Sequence, residues 1–234
     1  HAPTHIVHCA SSGRGGPEAY RAVFLEGSRS LLAAFPGSRL LFVSSTSVYG
    51  QTDGSEVSET SETSPDRETS RLLLEAEALV LARGGTVARL AGIYGPGRSV
   101  ILQRFLDGRA VLEEDGRRLL NQIHRDDAAS ALLHLASRED TRSEVYNVVD
   151  STPLTQLACY QGLAARFERP LPPTGPRNLR RKRAWTHKVV SAAKLRATGW
   201  EPRYPDFLEA AAEIAPTLSL PDSGSESASA SGTS

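Results

Sequence analysis

Five short stretches carry the residue types from which a chemical site can be built. The first is Ser44-Ser45-Thr46-Ser47-Val48-Tyr49-Gly50, a run of hydroxyls that closes the apolar segment 39–44. Ligands of open α/β sheets bind beyond the carboxyl ends of the strands, so hydroxyls placed there can orient a substrate oxygen. They can equally serve the backbone of their own turn. The second stretch, 89–98, again joins a strand end to a tight turn. The third, Ile123-His124-Arg125-Asp126-Asp127, sets an imidazole beside carboxylates, although an aspartate just before an apolar periodic run reads more simply as a helix N-cap. The fourth is Gly13-Arg14-Gly15-Gly16, a loop able to cradle a phosphate at a helix N-terminus. Its third glycine in a G-x-G-x-x-G pattern falls on Glu18, and the next strand ends in serine rather than a ribose-binding acid. It therefore reads as a later turn of a sheet, not the first. The fifth is basic: Arg177, Arg180, Arg181, Lys182, Arg183 and Lys188 around Trp185. Arginine forks suit phosphate and an aromatic ring can stack, but the stretch reads first as a solvated loop.

The elements that position these residues follow from periodicity. Apolar runs at 4–10, 39–44 and 86–91 read as buried strands. Helical stripes run from Pro17 to Phe35 and over 72–80, the second stopping at Gly84-Gly85. Strand, helix, strand, helix, strand with short turns gives βαβ units and a parallel, doubly wound sheet. Residues 51–66 read as a loop. Beyond 95 the pattern predicts a helix over 99–107, a hairpin over 109–120 turning at Asp115-Gly116, and a helix from Asp127 to Ser137. A strand at 145–149 then returns to the main sheet. A helix at 154–167, a proline-rich linker and short helices near 192–198 and 205–215 follow. The division is a partial Rossmann domain over 1–95, to which 120–150 returns, a smaller lobe over 96–215, and a tail over 216–234 too rich in Ser, Gly and Ala to order itself.

Composition limits the function classes. The chain has 234 residues, 39% hydrophobic and 23% charged, which supports a packed core. Its 27 basic and 27 acidic residues cancel, which argues against nucleic acid as a partner. Two cysteines offer neither a zinc spacing nor a disulfide framework. No apolar run reaches the ~18 residues of a membrane span, and no signal peptide opens the chain, so a cytoplasmic protein is expected. The chain begins with His1 and contains no methionine, which reads as a processed chain or a fragment.

Residues 44–50, 89–98 and 123–127, the Tyr146-Asn147 pair and Lys194-Leu195-Arg196-Ala197-Thr198-Gly199-Trp200 resemble, in order and spacing, the motifs of extended short-chain dehydrogenase/reductases. These form the NAD-dependent epimerase/dehydratase superfamily, and the chain is most similar to its atypical YeeZ-like subgroup. The resemblance covers residues 5–212. It implies α/β architecture: the C-terminal part of a Rossmann-like doubly wound parallel sheet with a smaller mixed substrate lobe. It further implies NAD or NADP as cofactor, a small-molecule substrate, and a homodimer through helices of the kind at 17–35 and 68–84. Strand 6–10 takes the place of the family's fourth strand, with Ala10 and Ser11 beside the cofactor. Ser44 and the run Leu90, Ala91, Gly92, Ile93 also fall on cofactor contacts, the run passing the nicotinamide end. Ser45 stands at the catalytic Ser/Thr position. Thr46, Tyr94, Arg98 and His124 face the substrate, and His124 with Asp127 match a motif bridging the sheet and the substrate lobe.

Two departures modify what the resemblance implies. The family's acid/base is a Tyr-x-x-x-Lys pair, in which the lysine lowers the tyrosine pKa and anchors the cofactor ribose. Here Arg67 and Arg71 take those positions. Arginine stays protonated, so Arg67 cannot exchange the proton, while Arg71 can still hold a ribose or phosphate. The YeeZ-like subgroup also tends to lack the pair. Tyr49 and Tyr94 are substitutes by type, but both fit core or turn packing better. Thr46 and Ser47 replace the acid pair of sugar dehydratases, and Gly92 replaces an asparagine that touches nucleotide-sugar phosphate. Second, the first three strands and the glycine fingerprint, about 60–70 residues at roughly 30 per βαβ unit, have no counterpart here. The chain is therefore expected to be truncated at its N-terminus, to expose a strand edge, and to bind dinucleotide poorly where the intact protein binds it. The leading expectation is an NAD(P)-dependent oxidoreductase or epimerase-like protein acting on an unidentified small molecule. The alternative is a non-catalytic dinucleotide-binding sensor or scaffold, or an inactive fragment.

Overall fold

The computed structural model describes residues 2–13, 15–63, 67–177 and 185–218. Arg14, the basic residues Arg180, Arg181, Lys182 and Arg183, and the tail from residue 219 lie outside the described residues. Strand β1 (His5–His8) leads through Gly13-Arg14-Gly15-Gly16 into a helical segment made of α1 (Pro17–Tyr20), a π-turn (Arg21–Glu26) and α2 (Gly27–Ala34). Pro17 stands at the first helical position, where its missing N–H removes no intrahelical bond. Strand β2 (Arg39–Ser45), the two-residue β3 (Glu56–Val57), helix α3 (Glu68–Leu81) and strand β4 (Thr86–Leu90) follow. Next come β5 (Gly92–Tyr94), α4 (Val100–Leu106), β6 (Leu112–Glu113), β7 (Leu119–Leu120), β8 (Gln122–His124), α5 (Arg125–Ala136) and β9 (Val145–Val148). The chain continues with β10 (Leu154–Thr155), α6 (Gln156–Phe167), β11 (Thr174–Gly175), β12 (Val189–Val190), α7 (Ala193–Arg196) and α8 (Phe207–Ile214).

The main sheet has the order β1-β2-β4-β9 with every pairing parallel. Its register runs from His5↔Arg39 to His8↔Phe42, from Leu41↔Thr86 to Ser45↔Leu90, and from Val87↔Val145 to Leu90↔Val148. The strand at 145–149 therefore does return to the sheet. Leu40, Leu41 and Phe42 of β2 and all of β4 are buried, as continuous apolar runs require when both faces of a parallel sheet are covered. Leu72, Leu73, Ala76 and Val80 supply the inward stripe of α3. At its end Gly85 packs so closely that a Cβ would lie 2.5 Å from the Leu40 carbonyl oxygen and 2.5 Å from Val80 Cγ1. Gly85→Ala is expected to cost about 1–3 kcal/mol by overpacking, read as a lower urea midpoint; an unchanged midpoint would mean that the turn relaxes freely.

The core falls into two clusters. The first spans Leu25 to Val149 across the sheet and also takes Val190, Ala192, Leu195 and Trp200, from a segment that chain order assigned to the smaller lobe. The second gathers Tyr94, Leu102, Phe105, Leu163, Phe207 and Ile214 among others. The expected hairpin over 109–120 does not form. The turn at Asp115-Gly116 is present, with the Gly116 amide donating to the Glu113 carbonyl at 2.9 Å. However, β6 pairs with β11 and β7 with β10. Gln156 explains this: its Oε1 accepts from the Glu113 amide at 2.8 Å and its Nε2 donates to the Val111 carbonyl at 3.2 Å, occupying backbone groups a hairpin partner needs. The stretch 51–66, expected as a loop, contributes β3, which pairs with β12.

Candidate functional site

Beyond the carboxyl end of β2 the two clusters leave a cleft of about 860 Å³. Thr46, Ser47 and Tyr49 line one wall, and Gly92, Tyr94, Asn121 and Lys188 also line the cleft, with Arg67 and Glu68 at the start of α3. Beneath the first wall lies a buried polar network. Arg89 on β4 pairs with Glu77 on α3 at 2.6 Å, and Ser44 Oγ also donates to Glu77 Oε1. Arg89 Nη1 donates to the Tyr49 hydroxyl at 2.8 Å, which donates in turn to Asn147 Oδ1 at 2.9 Å. Burial works against the Arg89 charge, but its bonds to Glu77 raise its pKa on balance. Burial pushes the Tyr49 phenol up. The network locks the turn that carries the hydroxyl run.

The sequence-predicted residues divide sharply. Thr46, Gly92 and Tyr94 line the cleft. Ser45 is half-buried, and its Oγ accepts from the Ser47 amide at 3.2 Å, capping the 3-10 turn Thr46–Val48. Ser44, expected beside the cofactor, turns its hydroxyl into the core because Glu77 takes it there. Leu90 and Ala91 are buried and Ile93 is half-buried. Ala10 and Ser11 are exposed past the end of β1, with Ser11 Oγ accepting from the Gly13 amide. Arg71 is exposed and does not line the cleft, whereas Arg67, one turn earlier, does. Arg98 is exposed in a tight turn with Gly95 and does not line the cleft, although Ser99 next to it does. Tyr49 and Tyr94 are buried in packed surroundings; burial raises the Tyr94 phenol, whose hydroxyl donates to the Asp206 carbonyl.

The cap expected of Asp127 is formed by His124 instead. His124 is the N-cap of α5, its Nδ1 accepting from the Asp126 amide at 3.2 Å, and its ring packs on Tyr94 and Tyr204. Burial lowers its pKa. It does not line the cleft. Asp127 is not the cap; it lies in the first turn of α5, where its two oxygens accept from the Arg203 and Tyr204 amides, each at 2.9 Å. It ties the helix to the segment before α8.

One cleft residue was hidden within the basic stretch. Lys188 is only 3% exposed, and its Nζ donates to the Tyr49 carbonyl at 2.7 Å. Burial, with Arg118 nearby, pushes its pKa down to about 8. Arg177, eleven residues earlier in the chain, behaves as a surface group: it pairs with Glu114 and stacks on Trp185 at 4.1 Å. The signal that separates the two is the apolar pair Val189-Val190 immediately after Lys188, which pairs with β3.

A parallel sheet with crossover helices and a cleft at the carboxyl ends of its strands defines a Rossmann-like α/β protein. A sequence profile of the NAD dependent epimerase/dehydratase family matches residues 1–148, and the chain belongs to that family. It is 30% identical over 174 residues to Protein YeeZ of Escherichia coli strain K12, an alignment covering 73% of this chain and 60% of YeeZ. The chain thus spans about three fifths of the curated relatives it matches. Among solved structures, RMD from Pseudomonas aeruginosa complexed with NADPH is similar at 26% identity and a TM-score of 0.72, over 92% of this chain and 81% of RMD. The dTDP-glucose 4,6-dehydratase of Bacillus anthracis in complex with NAD shares the fold at 19% identity and a TM-score of 0.75, over 91% of this chain and 71% of that enzyme. No helix among the described residues is long and apolar enough to cross a membrane.

Proposed function

We propose that the protein binds NAD or NADP at the carboxyl ends of β1, β2 and β4 and acts as an oxidoreductase or epimerase-like protein on a small molecule held in the cleft. The observation that carries this reading is the cleft itself, opening beside strand ends that present hydroxyls and small residues. Ala10 and Ser11 are exposed past the end of β1, Gly13 just beyond them lines the cleft, and at Gly92 a Cβ would lie 3.2 Å from the Asn121 carbonyl. Such a low shelf fits the nicotinamide side of a dinucleotide. The pyrophosphate side is different, since Glu18 stands where the glycine pattern needs its third member. When bound, the nicotinamide supplies or accepts a hydride.

The chain's own residues then have limited roles. Thr46 faces the substrate oxygen and Ser45 fixes the turn beneath it through the Ser47 amide. Arg67 holds an anionic or ribose oxygen at the start of α3, the role the family resemblance implies for Arg71. The test is a fluorescence titration of the full-length protein with NADH and NADPH. Ala10→Trp is expected to weaken binding by at least about tenfold while changing stability by no more than about 0.5 kcal/mol, as an exposed substitution should. No saturable binding of either dinucleotide would sink the reading. Binding without turnover on any carbonyl substrate points to the dinucleotide sensor, which Arg67 at the acid/base position favours.

A further inference from the structure

Lys188 has no carboxylate partner among the described residues; its hydrogen bond goes to a neutral carbonyl. A buried ammonium so placed is unfavourable unless something answers its charge. Its position is nevertheless built with care. Asn121 Nδ2 donates to the Lys188 carbonyl at 2.9 Å and Asn121 Oδ1 accepts from the Val190 amide at 2.8 Å, so one side chain clamps the backbone on both sides. Arg118 is drawn alongside: its Nε donates to the Thr186 carbonyl at 3.2 Å, and the Leu119 amide donates to His187 Nδ1 at 3.2 Å. The carbonyl that receives Lys188 belongs to Tyr49, whose ring is fixed by Arg89 and Asn147.

Both cations line the cleft, and among the described residues four cations, Arg67, Arg104, Arg118 and Lys188, line it against one carboxylate, Glu68. Ammonium and guanidinium groups held together in a partly desolvated wall attract a carboxylate or phosphoryl oxygen far more strongly than a neutral hydroxyl. We propose that Lys188 and Arg118 form a seat for an anionic group of the substrate, so that the cleft takes a small carboxylate or phosphorylated molecule. This rests on the cleft being the substrate site, not on dinucleotide binding.

Protonation follows. The free protein holds Lys188 at a pKa of about 8, and a seated anion raises it. Affinity is therefore full below about pH 8 and falls as pH rises above it, with proton uptake on binding in that range. The other ionisable groups lining the cleft are Arg67, Arg104, Arg118, Glu68 and the phenols of Tyr20, Tyr49, Tyr94 and Tyr160.

The experiment is calorimetric titration of the full-length protein with inorganic phosphate and, separately, malonate, without dinucleotide, from about pH 7 to about pH 9 in two buffers of different ionisation enthalpy. We expect saturable binding of at least one anion, with Lys188→Gln and Arg118→Gln each weakening it about tenfold or more and Lys188→Arg retaining most of it. Near pH 8 the heat should differ between buffers by the proton taken up. The stronger anion identifies the substrate's acidic group. Equal binding by wild type and both glutamine variants, absence of saturable binding of either anion, or a pH-independent affinity overturns the proposal. Displacement of the anion by NAD or NADP would assign the seat to the cofactor and overturn it as a substrate site.

Discussion

Glu77→Ala is expected to destabilise the protein by about 3–5 kcal/mol, read from urea or thermal unfolding. The reason lies in what the substitution leaves behind. Arg89 is buried on β4, and Glu77 accepts from its Nε and Nη2. Removing the carboxylate strands a guanidinium in the core, and Ser44 loses its acceptor as well. Removing both charges with shape-matched apolar residues, Glu77→Leu with Arg89→Met, is expected to cost much less than the sum of the single changes. If the double variant is as unstable as the sum, the two side chains do not act as a pair. The single change should also loosen the turn at 46–50, because Arg89 donates to the Tyr49 hydroxyl.

Asp127→Ala ranks next, with an expected loss of about 3 kcal/mol. The buried Tyr204 amide and the part-buried Arg203 amide both lose a charged acceptor, at about 1–3 kcal/mol for the first and less for the second. Asp127→Asn keeps one accepting oxygen and is expected to cost roughly half as much. Amide exchange at Arg203 and Tyr204 gives a second readout, expected to accelerate in both variants. A loss below about 1 kcal/mol for the alanine variant would show that apolar contacts, such as the buried Trp200 and Phe207, hold this segment without help.

Much of the sheet was legible because its signals are local. The runs at 39–44 and 86–91 are apolar without interruption, and the stripe on α3 repeats at helical spacing, so strands, helix and parallel order followed directly. The hydroxyl run at 44–47 was placed at a strand end for the same reason. Its internal division was not legible: whether Ser44 or Thr46 faces the cleft depends on Glu77 reaching across from α3 to claim one of them. The sequence marks Asp127 as the cap and His124 for chemistry, whereas His124 is the cap and Asp127 ties α5 to the segment before α8. Both are polar residues at a helix start, and only backbone geometry decides which one caps. The hairpin at 109–120 was misread because Gln156, more than thirty residues further along, satisfies the strand edge. Lys188 is only weakly legible: within the basic stretch its one mark is the apolar pair Val189-Val190 that follows it, and the pairing of that pair with Glu56-Val57 is long-range.

That pairing has a mechanical consequence. The segment 186–191 is stitched to the sheet side by the Gln51, Ser55 and Val57 carbonyls, which accept from the His187, Val189 and Ser191 amides. It is stitched to the other side by Arg118, Leu119 and Asn121. A hinge rotation between the two clusters would have to tear one of these seams. The cleft therefore behaves as a rigid slot rather than a jaw. An anion of the proposed kind would then be selected by how its charge and length fit a wall that does not adjust.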